Sequence, residues 1–273
     1  MADKKTHTPK DSHYARLRRE HRDSHGGQPA KQHRETVPPG PEAPAGLIRL
    51  YGLHTVRAAL DNPRRTIRRM LVTRNAQERL GIDELSSLPF PAELVEPRAI
   101  DRITGSEAVH QGVLIETEPL KPKRLAELAD TPLVIVLDQV TDPHNVGAIM
   151  RSAVAFGAGA LITTQRHSPH ESGVLAKSAS GALEHIDLIE VKNLADALGE
   201  LHEAELERSL DGRRIALVLG AEGKGLRQKT RETVTTLARL DMSGAIRSLN
   251  VSNAAAVALY AARRFLGTKG VGE

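Results

Sequence analysis

The sequence predicts an α/β protein in which a mainly parallel sheet, covered by helices on both faces, follows a smaller α/β unit and a basic N-terminal tail. Two observations carry that prediction. From residue 133 onward, short apolar runs such as Val134-Ile135-Val136-Leu137 alternate with helical patterns at spacings that suit crossover connections. Before residue 47 the chain is rich in Lys, Arg, His, Pro and Gly and holds few large apolar side chains. Such a segment buries too little surface to offset the entropy of ordering, so residues 1–46 are expected to be disordered.

The chain has 273 residues, 40% hydrophobic and 26% charged, enough for two modest domains and a tail. No apolar run is long enough to cross a membrane, and MADKKTHTPK lacks the apolar core of a signal peptide, so a cytosolic protein is expected. Cys is absent, which excludes disulfides, thiolate nucleophiles and Cys-ligated metal centres. No HExxH-type spacing occurs either, and no metal site is expected. The formal charge is +4, and residues 1–35 hold nine Lys or Arg against five acids, so that stretch carries the whole excess. Such a tail can attract phosphates without specificity or simply remain an unstructured leader. With 2% aromatic residues, a base-stacking platform for single strands is disfavoured.

From Leu47, LIRLYGLHTVRAAL predicts a strand turning into a helix with Val56, Ala59 and Leu60 on one side. Then IRRMLVT predicts a strand, ERLGIDELSSL a helix, AELVE a strand, RAIDRIT a short helix and VHQGVLIETE a returning strand, closing a unit at 47–119. PLKPKRLAELADTP, with Pro119, Pro122 and Pro132, reads as the connection to a second unit at 132–267. There strands are predicted at 133–138, 159–163, 186–191, 214–219 and near 236–240, with helices at 145–157, 170–180, 193–202, 226–231 and 251–266.

Three stretches carry chemistry. VIVLDQVTDPHNVGAIMRSAVAF (134–156) reads as strand, polar turn and helix, the arrangement at which α/β proteins place ligands. By itself it equally fits a plain capped turn, with Asn145 as N-cap, Pro143 as stiffener and Arg151 as a solvated charge. LVLGAEGKGL (217–226) puts glycines at 220, 223 and 225 directly after an apolar strand, where backbone N–H groups can approach a ligand. It is neither a P-loop, since Lys224 is followed by Gly225, nor a dinucleotide fingerprint, since Gln228 stands where a third glycine belongs. DMSGAIRSLNVSNAAAVALYAA (241–262) runs from a Ser/Gly loop through the capping side chains Ser248, Asn250 and Ser252 into an Ala-rich helix suited to close packing.

In this order and at these distances, DPHNVGAIMR, LGAEGKGL and SLNVSNAAA resemble the three motifs of the SpoU (TrmH-like) RNA 2'-O-ribose methyltransferases of the SPOUT superfamily, over about 132–267. YGLHTVRAAL and AVHQGVLIE are similar to the two ends of the ribosomal-protein-like RNA-binding domain of bacterial members that methylate large-subunit (23S) rRNA, and KSASGALEHIDL is similar to a segment those members carry between the first two motifs. The resemblance implies a deep trefoil knot in the parallel-sheet domain, a homodimer formed across it, RNA as partner and S-adenosyl-L-methionine as cofactor. It implies cofactor contacts around Gly220, Leu240 and Leu249, with Gly220 leaving room for the cofactor. It also implies motif roles for Arg151, Asn145, Glu222, Ser248 and Asn250.

Methylation of a ribose hydroxyl is a displacement at the sulfonium methyl, so the protein has to orient the hydroxyl and handle its proton. The family's proposed general base matches Arg151, but arginine is effectively always protonated in proteins. A grip on the adjacent phosphate with stabilisation of developing alkoxide charge is the competing role. Gly147 and Arg151 share a helix face, and the missing side chain at 147 is expected to leave space above Arg151. Asp241 stands before Met242 where the family usually has Pro, which frees a backbone N–H and loosens the turn. A guanosine of 23S rRNA is the expected target. A tRNA ribose, another rRNA site, or a non-catalytic RNA-binding role in ribosome assembly are the alternatives.

Overall fold

A computed structural model describes residues 40, 42–166, 168–207, 214–242, 244–245 and 248–267. Most of the tail expected at 1–46 lies outside the described residues. Seven elements build the first sheet: β1 (Ile48–Tyr51), α1 (Leu53–Asp61), β2 (Ile67–Val72), α2 (Arg74–Leu80), β3 (Ala92–Leu94), α3 (Pro97–Thr104) and β4 (Val113–Thr117). The strand order is β1-β4-β2-β3, antiparallel except for the parallel β2–β3 pair. Leu50 and Met70 both lie opposite Ile115, and all three are fully buried. The helix predicted over ERLGIDELSSL is shorter than expected. Gly81 turns left-handed (φ 68°) and closes α2 with its N–H on Gln77 O and Glu78 O, leaving only a 3-10 turn at Leu85–Ser87.

The second sheet follows with β5 (Leu133–Asp138), α4 (Pro143–Ala155), β6 (Ala160–Thr164), α5 (Gly173–Ala179), β7 (Asp187–Val191), α6 (Leu194–Glu207), β8 (Ile215–Gly220), α7 (Gln228–Thr233) and α8 (Val251–Gly267). Its order is β7-β6-β5-β8, all parallel, as the strand–helix alternation predicts. Successive residues of β5 feed opposite cores. Leu133, Ile135 and Leu137 join the core shared with α4, α5 and α8, whereas Val134 and Val136 pack with Leu194, Ala197 and Leu198 of α6. The strand predicted near 236–240 is not formed, and Leu237 is exposed. Alternation there would place Leu237 with Arg239 on one face and leave the other only Ala238 and Leu240 as apolar residues, a short and weak face for holding a strand in a sheet.

Helix α4 begins two residues earlier than predicted because Asp142, not Asn145, is its N-cap, accepting from His144 N at 3.0 Å, with Pro143 in the first turn. Gly147 also serves a different purpose from the one expected. A Cβ there would lie 2.6 Å from Leu175 O and from Ser178 Cβ, and 2.9 Å from Ala179 N. The missing side chain lets α5 cross α4 closely; it opens no space above Arg151.

Helix α5 also packs on β1 and α1, so the apolar core runs continuously from Leu50, Leu53 and Val56 to Leu175 and Ala176. Beside it, the fully buried Arg65 guanidinium donates to Glu184 through Nη2 and Nε, to Glu171 Oε1 through Nη1 (2.6 Å) and to Glu118 O (3.1 Å). Asn62 Nδ2 donates to Glu184 Oε2 (2.6 Å), and Leu120 N donates to Glu171 Oε2 (2.7 Å). One cation thus serves two carboxylates and joins residues of the first sheet, the connection and the second sheet. Burial pushes the Glu171 pKa up, against the lowering influence of Arg65 and the Leu120 N–H.

Removing the shared cation is the costly change. Arg65→Ala is expected to lower the unfolding free energy in urea at pH 7 by about 3–5 kcal/mol, the range for breaking a buried pair. Glu171→Gln leaves a one-to-one pair and should cost much less. A glutamate whose folded-state pKa is raised contributes stability that is present below its ordinary pKa and is lost as pH rises through the raised value. The parent should therefore gain stability relative to Glu171→Gln as urea melts are moved from pH 7 towards pH 5; a trend in the other direction would contradict the assignment.

Candidate functional site

In the register of the second sheet, Asp138 at the end of β5 lies opposite Gly220 at the end of β8. The loops that leave these two carboxyl ends are therefore neighbours, at the edge where parallel sheets bind ligands. Asp138 is fully buried and holds the second loop down, accepting from Arg227 N (2.9 Å) and Arg227 Nε (2.6 Å). A buried carboxylate persists only with such partners. Between these anchors the chain turns tightly: Gly225 N donates to Ala221 O (2.8 Å), with Gly223 and Gly225 at φ 77° and 68°. At Gly220 a side chain would collide with Gly225 and Leu226. That glycine is needed by the return of its own loop, which gives the missing side chain a role within the turn.

The turn presents Glu222. Its Oε1 accepts from Asn250 Nδ2 (2.8 Å), Val251 N (3.1 Å) and Asn145 Nδ2 (3.3 Å), while Asn250 Nδ2 also donates to Asn145 Oδ1 (2.9 Å). Asn250 Oδ1 in turn accepts from Ser252 N (2.9 Å), capping α8 as its sequence position predicts. A carboxylate at the start of a long helix also matches the positive end of the helix dipole. Asn145, Glu222 and Asn250, one from each of the three stretches, are thus locked together. Because Asp142 caps α4, the Asn145 amide is free for this contact.

The other expected site residues stand outside that hub. Arg151 is exposed, with no hydrogen bond or ion pair among the described residues. Six residues after Asn145 on the helix, it lies about 120° away around the axis, on the stripe that His144 occupies two turns earlier. Ser248 is exposed and Leu249 keeps 45% of its surface open, directly before Asn250. Leu240 is half-buried and Asp241 exposed, while Ser243, Ile246 and Arg247 of the third stretch lie outside the described residues. Sequence reasoning missed Asp138 and Arg227. The usable signal was an acid directly after five apolar residues at a strand's carboxyl end.

A family model described as SpoU rRNA Methylase family matches residues 132–260, and one described as RNA 2'-O ribose methyltransferase substrate binding matches residues 49–123. The 23S rRNA (guanosine-2'-O-)-methyltransferase RlmB of Ralstonia nicotianae is 39% identical over 235 residues, covering 79% of this chain and 94% of that protein. The enzyme of the same name from Pseudomonas putida is 37% identical over 243 residues, covering 80% and 96%. Among solved structures, the SpoU methyltransferase AviRb from Streptomyces viridochromogenes shares the fold with a TM-score of 0.66 at 20% identity, covering 81% of this chain and 90% of that one. An AdoMet-bound rRNA methyltransferase from Sinorhizobium meliloti gives 0.65 at 24% identity, covering 81% and 88%. With relatives this similar along nearly their whole length, and with its three motifs drawn to one edge of the parallel sheet, the chain belongs to the SpoU rRNA methylase family.

Proposed function

We propose that this chain is an S-adenosylmethionine-dependent 2'-O-ribose methyltransferase that modifies a guanosine of 23S rRNA. The observation that carries it is the Glu222 hub, which ties Asn145 and Asn250 into one polar cluster at the carboxyl edge of the sheet. The choice of guanosine in 23S rRNA rests on the two relatives of that activity. Residues 47–119 are the RNA-binding domain, 132–267 the methyltransferase domain, and the basic tail at 1–46 adds attraction to phosphates.

The chain's residues suit the cofactor. Leu249 offers an open apolar wall for an adenine beside the amide and carboxylate groups that a ribose and a carboxylate-bearing chain would meet. Leu240 and the backbone at Gly220 would complete the contacts, and Ser248 would order the loop. When bound, the cofactor supplies an electrophilic methyl carbon. The protein's share is orientation and charge. Asn145 and Asn250 are already fixed by Glu222, so they lose little freedom on meeting a substrate or cofactor. Arg151, exposed on the neighbouring stripe of α4, takes the phosphate next to the target ribose and stabilises the developing alkoxide. An arginine stays protonated in proteins, which favours this role over that of a general base.

The working form is a cytosolic homodimer with its C-terminal segment threaded through a deep trefoil knot. In support of the dimer, α8 exposes Val257 and Tyr260, apolar surface that a second copy would cover. In support of the knot, β8 adds to the sheet beside β5, and α8 then returns to pack on both α4 and β8.

Tritiated-methyl transfer from S-adenosylmethionine to an unmodified 23S rRNA transcript tests the activity directly. Arg151→Lys should lose most turnover and keep cofactor affinity in calorimetry, because an ammonium cannot reproduce the planar two-point grip of the guanidinium. Near-parental turnover would remove Arg151 from the reaction. Glu222→Ala, which leaves two amide groups and the Val251 N–H without their shared acceptor, should weaken cofactor binding roughly tenfold. Glu222→Gln, which keeps an acceptor oxygen, should weaken it less, and equal binding by all three proteins would refute the hub's role.

A further inference from the structure

Helix α5 packs on β1 and α1 on one side and on α4 on the other. Toward the first, Thr55 Oγ1 donates to Ala176 O (3.3 Å), a side chain at Gly52 would collide with Lys177 Nζ, and Lys177 Nζ donates to Gln111 Oε1 (3.0 Å). Toward the second, Ser178 Oγ hydrogen-bonds with His144 Nδ1 (3.2 Å). Gln111 is held in place with unusual care. It adopts a left-handed backbone (φ 56°) without being glycine, in a turn where Gly112 N donates to His110 Nδ1 (3.0 Å) and His110 Nε2 contacts Asp101 Oδ1 (3.1 Å). Its Oε1 also accepts from Leu53 N (3.1 Å), so one neutral oxygen is shared by a backbone N–H and an ammonium. Strain of this kind persists where the surroundings over-determine it, and it concentrates at binding sites.

Lys177 has no carboxylate within ion-pair distance among the described residues. Partial burial alone pushes its pKa down, as happens when a cation gives up water and gains no anion in exchange. From Lys177 a polar strip continues over Ser178 and His144 to Arg151, which shares the His144 stripe of α4 about 10 Å further along the axis. His144 and Arg151 are both exposed, as is Gln111 at the other end.

We propose that this seam is a phosphate subsite for the RNA strand: Lys177, aimed by Gln111, takes a backbone phosphate as the strand passes from the first sheet's unit towards Arg151. The subsite rests on the RNA methyltransferase reading given above. A compact ammonium beside a preset turn suits a phosphate, which positions a strand without reading its bases. It also explains why the two units meet through a helix that carries a cation at their junction.

The test uses the full chain and an unmodified 23S rRNA transcript, with Lys177→Gln and Lys177→Arg. Lys177→Gln should raise the KM for RNA roughly tenfold, the loss of one charge-assisted contact. Cofactor affinity, kcat at saturating RNA and Tm should stay near the parent's. In filter binding over a salt series, its slope of log K against log salt should be shallower by about 0.7–0.9, one phosphate contact. Lys177→Arg should restore both. An unchanged slope and KM, or a weaker KM accompanied by a lowered Tm and an unchanged slope, overturns the subsite and leaves Lys177 as a link between the two units. Filter binding needs no turnover, so a parent that binds the transcript without methylating it refutes the proposed activity while the salt slopes still decide the seam.

Discussion

A single carboxylate oxygen, Glu222 Oε1, takes hydrogen bonds from Asn145 and from the adjacent Asn250 and Val251, so two distant parts of the chain meet on it. The surrounding architecture serves to bring that oxygen to its place. The parallel β5–β8 pairing sets Asp138 opposite Gly220 and so puts the two loops side by side. Buried Asp138 then grips Arg227 at both backbone and side chain, fixing the far end of the loop that carries Glu222. At the near end, the close return of Gly225 over Gly220 fixes the turn. Each of these restraints limits how far the carboxylate can drift, and a few tenths of an ångström separate a good hydrogen bond from a poor one.

The second constraint is the join between the two sheets. Helix α5 can approach α4 only because residue 147 lacks a side chain, and the same helix buries Leu175 and Ala176 in a core continuous with α1 and β1. Arg65, between Glu171 and Glu184, adds an ionic tie whose loss would leave two buried carboxylates without their shared cation. The unit that matches the substrate-binding family model is thereby held in a set orientation to the hub. Orientation fixed in advance reduces what substrate binding has to spend on ordering the protein.

Much of this was legible in the sequence, for physical reasons that particular residues display. The continuous apolar run at 133–137 announced a strand buried on both faces, and β5 is buried along its whole length. Asn250 was recognisable as a cap because it precedes an Ala-rich helical pattern. Three-dimensional neighbours were less visible. Whether the hydrogen at Gly147 faces a ligand or a helix depends on where α5 lies, and a sequence does not carry that distance. Asn145 looked like a cap until Asp142 was seen to fill that role. TLARL has strand-like residue types, but its alternation mixes Leu237 with Arg239 and leaves only a short, weak apolar face, so local propensity did not suffice. The separation of Arg151 from Asn145 around α4 follows from helix geometry alone, and it turns the site from one cluster into a hub with an exposed guanidinium on the neighbouring stripe.

Mapping of 2'-O-methyl groups across total RNA from cells with and without this protein decides whether the site acts on 23S rRNA. One guanosine of 23S rRNA should lose its ribose methyl group when the protein is absent and regain it when the protein is resupplied. A methylation map identical in both cells, across rRNA and tRNA alike, would contradict it.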